Sequence, residues 1–132
     1  SQGCAICCSG GLSQFQYFSA PRMIEELDKI AAYGKMDAQE KFNIFLVDSN
    51  FNNNPSRIIE FANLYRNSRH NGRFEFFIRH NTVNGFLKPA AGGKKVPNRE
   101  LIAAYQALGI KEVFMGVDSF DDASTVTLKT HK

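Results

Sequence analysis

The chain has 132 residues, 43% of them hydrophobic and 22% charged, with a net charge of +3. That suits one globular domain and argues against disorder. No apolar run reaches the roughly 20 residues needed to span a bilayer, and the charge is too small to point to a nucleic-acid partner.

The start lacks the charged, apolar and cleavage regions of a secretory signal. Ser1 is not an initiator methionine, and Leu128 to Lys132 show no stop pattern, so both ends read as cuts in a longer chain. All three cysteines, Cys4, Cys7 and Cys8, fall at the start. A disulfide framework would spread them to tie distant segments together. Clustered thiols suggest metal binding or redox chemistry in a reducing compartment, so the expected location is cytoplasmic. Cys4 and Cys7 form a C-x-x-C pair, which zinc sites and dithiol redox pairs share. Gly10 and Gly11 follow and allow close backbone approach or a plain turn. His70, His80 and His131 form no paired motif and read as ordinary surface or helix-end residues.

The first helix is predicted from Pro21 to Tyr33, with Met23, Ile24, Leu27, Ile30 and Ala31 at helical spacing and Gly34 closing it. Phe42 to Val47 is a short, nearly continuous apolar run, as in a strand buried on both faces of a parallel sheet. A second helix opens with Asn54 as N-cap and Pro55 as first residue, and carries Ile58, Ile59, Phe61, Ala62 and Tyr65. Asn71-Gly72 is a turn, and Arg73 to Ile78 a second strand.

The stretch His80 to Val96 is long for a strand–helix connection and reads as a mobile loop. Its Lys88, Lys94 and Lys95 read as solvated. A third helix opens at Pro97-Asn98, carries Leu101, Ile102, Tyr105 and Leu108, and ends at Gly109, with Ile110 packing back. Glu112 to Val117 is the third strand. Each strand-plus-helix unit has βαβ size, so the strands are expected to be parallel. Periodicity alone leaves an open doubly wound sheet and a barrel both standing.

Each strand runs into polar residues at its C-terminal end: Asp48-Ser49-Asn50, Arg79-His80-Asn81 and Asp118-Ser119. Parallel α/β folds bind ligands at that edge. Taken singly, these residues read as helix caps; taken together, they make a candidate ligand site.

These segments, in this order, resemble the radical S-adenosylmethionine superfamily, in its cobalamin-associated branch. That family carries C-x-x-x-C-x-x-C after its first strand. Here Cys4-Ala5-Ile6-Cys7 supplies the last two cysteines, and a cysteine just before Ser1 would complete the motif. Phe45 to Phe51, Phe76 to Arg79 and Leu108 to Ser119 resemble the family's second, third and fourth strand segments, and Leu128-Lys129-Thr130 the start of the next helix. The chain departs from the pattern at four places, one being Asp118, where Glu is commoner. Ile6 replaces a common aromatic residue, Cys8 is an extra thiol, and no Gly-Gly-Glu follows the second strand.

The resemblance implies a partial TIM-like (β/α) barrel with parallel strands, truncated at both ends, with residues 1–132 as part of the core domain. It implies a [4Fe-4S] cluster on Cys4 and Cys7. It also implies S-adenosylmethionine, held by Arg79 at its carboxylate, by Asp118 and Ser119 at ribose or amino-acid groups, and by Asp48 at its amino group. The implied reaction is reductive cleavage to a 5′-deoxyadenosyl radical, performed by the intact enzyme and not by this piece alone. A small-molecule or peptide substrate follows, with flavodoxin or ferredoxin as electron donor and cobalamin from an upstream domain. The competing reading is a non-catalytic flavodoxin-like binding or regulatory module whose cysteines are incidental or bind zinc.

Overall fold

The computed structural model describes residues 17–35, 37, 40–47, 51–80 and 86–115. Their elements are, in order, α1 (Ala20–Tyr33), β1 (Phe42–Phe45), a 3-10 turn (Phe51–Asn53), α2 (Pro55–Arg66), β2 (Phe74–His80), β3 (Leu87–Pro89), a second 3-10 turn (Ala91–Gly93), β4 (Lys95–Pro97), α3 (Arg99–Leu108) and β5 (Ile110–Met115). The described residues from Phe18 to Met115 belong to one unit of close internal packing.

The helices start where side chains replace missing backbone partners. Ser19, Asn54 and Asn98 each accept from the backbone N–H three residues on, at 3.4, 3.1 and 3.3 Å. Such caps satisfy one of the donors a helix N-terminus leaves open. α3 ends as expected, with Gly109 left-handed at φ 68° and its N–H donating to Gln106 O at 3.1 Å. α1 ends differently. Gly34 stays right-handed, and Lys35 takes the positive φ of 47° instead. At Asn71-Gly72 the turn closes through Arg73 N–H to His70 O at 2.9 Å, with Gly72 at φ 73°.

β1, β2 and β5 form a parallel sheet in the order β1-β2-β5. Strands that add in one direction through right-handed crossovers place their connecting helices on one face. The packing agrees. α2 lies against α3, and α1 against α2. Buried Leu27 of α1, Ile58, Phe61, Ala62 and Tyr65 of α2, and Leu101, Tyr105 and Leu108 of α3 join one core with Phe74, Phe76 and Ile78 of β2.

Phe76 is fully buried, and the Phe61 and Tyr65 rings meet it edge-on with centroids 5.9 and 5.5 Å away. Edge-to-face contacts add roughly 0.5–1.5 kcal/mol each beyond area burial. The Tyr65 hydroxyl also accepts from Phe74 N–H at 3.0 Å and donates to Phe74 O at 3.3 Å, so the only polar atom of this cluster's side chains is satisfied. Burial pushes that phenol above its usual range.

The strand limits shift from those expected. β1 ends at Phe45, and Val47 is 93% exposed beyond it. β5 begins at Ile110, so Ile110 is a strand residue as well as the one following the cap. Its register slips opposite Phe76 and Phe77, where Phe76 pairs with Ile110 but Phe77 with Glu112. Lys111 is the extra residue of this bulge. Ile110 and Val113 are three apart and would face opposite sides of a regular strand. With the bulge, both pack on the core.

The stretch read as a mobile loop contains structure. β3 and β4 pair as an antiparallel hairpin, with Leu87, Lys88 and Pro89 opposite Pro97, Val96 and Lys95. Two glycines at φ 71° and 72°, Gly92 and Gly93, make the reversal, and Ala90 N–H closes it on Lys94 O at 2.8 Å. Phe86 anchors the base by packing edge-on against Tyr105, 5.3 Å between centroids.

Phe76→Ala is expected to destabilise this unit by about 3–5 kcal/mol, through lost burial and an unfilled cavity among rigid rings. A urea titration followed by circular dichroism measures it. A loss below about 1 kcal/mol would contradict the central place given to Phe76.

Candidate functional site

Because the sheet is parallel, β1, β2 and β5 end at one edge. The same edge receives the N-termini of α2 and α3, since helices in such units run antiparallel to the strands they join. Three asparagines, Asn52 to Asn54, follow β1 there, and Asn98 caps α3. Of the residues singled out in the sequence for a ligand at this edge, His80, the last residue of β2, and its neighbour Arg79 lie among the described residues. Arg79 is exposed. Alternation along β2 puts Phe74, Phe76 and Ile78 on the helix side, and Glu75, Phe77 and Arg79 on the other. Cys4, Cys7, Asp48, Asp118 and Ser119 lie outside the described residues, as do Cys8, Gly10, Gly11, Ser49, Asn50 and Asn81.

The face opposite the helices combines aromatic and charged side chains. Phe45 and Phe114 are each 46% exposed, and their rings meet edge-on at 5.6 Å. Phe77 lies in register with Phe45 on one side and Glu112 on the other, and Arg79 with Phe114. Lys111 reaches from the bulge to Glu75 at 3.1 Å. Among the described residues no helix packs on this face. A surface of phenyl rings set beside a guanidinium with no ion pair among the described residues can take a ligand with a flat ring and an anionic group, since the planar fork of arginine matches a carboxylate.

Two polar groups at the edge carry no strong signal in the sequence. Arg57, on the first turn of α2, is buried. It donates to Phe18 O at 3.4 Å and Phe51 O at 3.5 Å, with its guanidinium 5.7 Å from the Phe51 ring centre. It ties the chain ahead of α1 to the 3-10 turn after β1. Asn52 is buried too, and its Oδ1 has no hydrogen-bond partner among the described residues. The Asn-Asn-Asn run after β1 was the available hint, but it reads equally as capping.

His70 corrects an expectation. It is 1% exposed, not a surface residue. The Asn71-Gly72 turn folds its ring back onto Phe74, 5.4 Å between centroids. Its Nε2 donates to Asp28 Oδ1 at 2.8 Å, while Arg69 donates to the same oxygen from Nε at 3.1 Å and Nη2 at 2.6 Å. The turn between α2 and β2 lies at the other edge of the sheet, so this cluster fastens α1 and leaves the candidate site alone. His70 and Arg69 together hold the Asp28 carboxyl below its ordinary value of 3.8.

No family model, curated protein or solved structure matches this chain. The class defined by the described residues is therefore a mixed α/β unit with a three-stranded parallel sheet and helices on one face. No described helix is long and apolar enough to cross a membrane.

The Asp28 contacts set a pH dependence. A carboxyl depressed in the fold stabilises it above the unfolded value and loses that contribution as pH falls through the folded one. Asp28→Asn is expected to lower stability at pH 7, and the gap to the parent to narrow below about pH 4. Urea midpoints at pH 7 and pH 3 measure it; a gap that stays constant would rule out the carboxylate as its source.

Proposed function

We propose that this chain is part of a radical S-adenosylmethionine enzyme, with its strands forming one arc of a (β/α) barrel. The observation that carries the reading is the sheet itself. Its strands add in one direction, with every described helix on one face and a face of aromatic and charged residues left open on the other. A barrel repeats that step and turns its open face inward. A doubly wound sheet covers both faces with helices, and no described helix covers this one.

Cys4 and Cys7 are the thiolates this chain offers a [4Fe-4S] cluster, and their close spacing suits adjacent corners of one small cube. When bound, the cluster supplies the electron that cleaves S-adenosylmethionine reductively. The chain's own part is to bind, orient and exclude water. Arg79 takes the carboxylate of S-adenosylmethionine with its fork, with Phe77 and Phe114 beside it in the sheet. Asp118 and Ser119 serve its ribose or amino-acid groups, and Asp48 its amino group. The substrate is a small molecule or peptide, the electron donor a flavodoxin or ferredoxin, and the location cytoplasmic.

The test is anaerobic loading with iron and sulfide of the chain extended upstream by its natural residues. Expected is a brown protein absorbing near ~400 nm, as thiolate-ligated clusters do, with the colour lost in Cys4→Ser and Cys7→Ser. A colourless product that takes up zinc instead would refute the reading in favour of a binding module.

In the loaded protein, Arg79→Gln is expected to weaken S-adenosylmethionine binding at least about tenfold, the scale of one charge-assisted pair. Equilibrium dialysis reads it. The substitution is exposed, so the fold stays intact, and unchanged affinity would remove Arg79 from the site.

A further inference from the structure

Between Glu75 and Glu100 the sequence holds Arg79, Lys88, Lys94, Lys95 and Arg99 and no acidic residue. This one stretch carries more positive charge than the net +3 of the whole chain. Four cations elsewhere are matched by carboxylates. Arg22 pairs with Glu25 and Glu26, Lys29 with Glu26, Arg69 with Asp28 and Lys111 with Glu75. Lys88, Lys94, Lys95 and Arg99 are exposed and make no ion pair among the described residues.

The cations do not sit on a slack loop. The β3–β4 ladder and the Ala90–Lys94 closure hold the hairpin, and Asn98 N–H donates to Phe86 O at 2.7 Å across its base. Opposed residues of an antiparallel pair share a face. Lys88 therefore lies on one face with Val96, and Lys95 on the other with Pro89, while Lys94 stands at the reversal. Nothing lies within 4 Å of where a side chain would start at Gly92 or Gly93, so the tip is open. Grouped like charges repel, and the fold gains nothing from gathering them. A bound anion is what their grouping stabilises.

We propose that the β3–β4 hairpin, with Arg99 at its foot, is a binding surface for a ligand carrying several phosphate groups. Three of its four cations are lysines, compact point charges suited to phosphate oxygens approached from any side, whereas paired carboxylates favour the fork of arginine. Charges on both faces and the tip fit a flexible phosphate chain that wraps the ribbon better than a flat acidic surface. The hairpin enters α3 at the edge where the strands end, so an anion held there lies beside the site. The inference rests on the hairpin's charge and geometry and stands apart from the iron–sulfur reading.

The test titrates the 132-residue chain with inorganic tripolyphosphate and follows backbone amide shifts by NMR. Expected is saturable binding, with the shifts concentrated in residues 86–99. Substituting Lys88→Gln, Lys94→Gln and Lys95→Gln together should weaken it about tenfold or more, as should raising salt from about 0.05 to 0.5 M. All three positions are exposed, so the amide spectrum outside the hairpin should stay unchanged. An oligonucleotide binding more tightly than tripolyphosphate at equal charge supports phosphate recognition and assigns the phosphates to a nucleic-acid backbone. No saturation at millimolar ligand, shifts centred elsewhere, an unaffected triple variant, or equal affinity for polyglutamate overturns the proposal.

Discussion

The contact on which the unit depends is that between the buried face of β2 and the aromatic side of α2. Phe74, Phe76 and Ile78 occupy alternate positions of the central strand, and Phe61 and Tyr65, four residues apart, stand on one side of a helix. Period two meets period 3.6 here, and the fit of the two patterns sets where α2 lies. α1 and α3 then pack on either side of the ground α2 has claimed. β1 and β5 are aligned by their ladders to β2. The open face, and the edge where the strands end, are consequences of which side of β2 was filled.

Much of this architecture could be read in the chain. The three helices, the Asn54 cap and the glycine after Leu108 follow from short-range chemistry, and short-range chemistry is what sequence displays. The parallel sheet followed from the size of each repeat. Less legible was anything set by distant partners. His70 looked like a surface residue because its burial depends on Asp28, more than forty positions away in the chain. Nothing in the sequence singles out Arg57, and only the fold brings it to the carbonyls of Phe18 and Phe51. The hairpin was hidden because three-residue strands flanked by prolines and glycines have no period long enough to detect. The bulge was hidden because nothing in Ile110-Lys111-Glu112-Val113 marks which residue is surplus.

The candidate site divides along the same line. Its position at the C-terminal ends of the strands was legible, since a parallel sheet fixes that edge before any side chain is considered. Arg79 was legible as a residue at that edge. That it shares a face with Phe77 and Phe114 follows from strand alternation together with the register of β5, and the register comes from the structure. Cys4, Cys7, Asp48, Asp118 and Ser119 rest on the sequence and its resemblance alone.

The surplus residue in β5 bears on how this protein can change. Every strand position has a parity, inward or outward, and an extra residue reverses parity for all that follow it. Lys111 is where that reversal is absorbed. A lineage that lost Lys111 would pair Phe76, Phe77, Ile78 and Arg79 with Ile110, Glu112, Val113 and Phe114 in unbroken register, with Val113 still toward the helices and Phe114 still beside Arg79. A single insertion or deletion beyond the bulge would instead turn Val113 away from the helices, so in this strand the count can change at Lys111 and not after it.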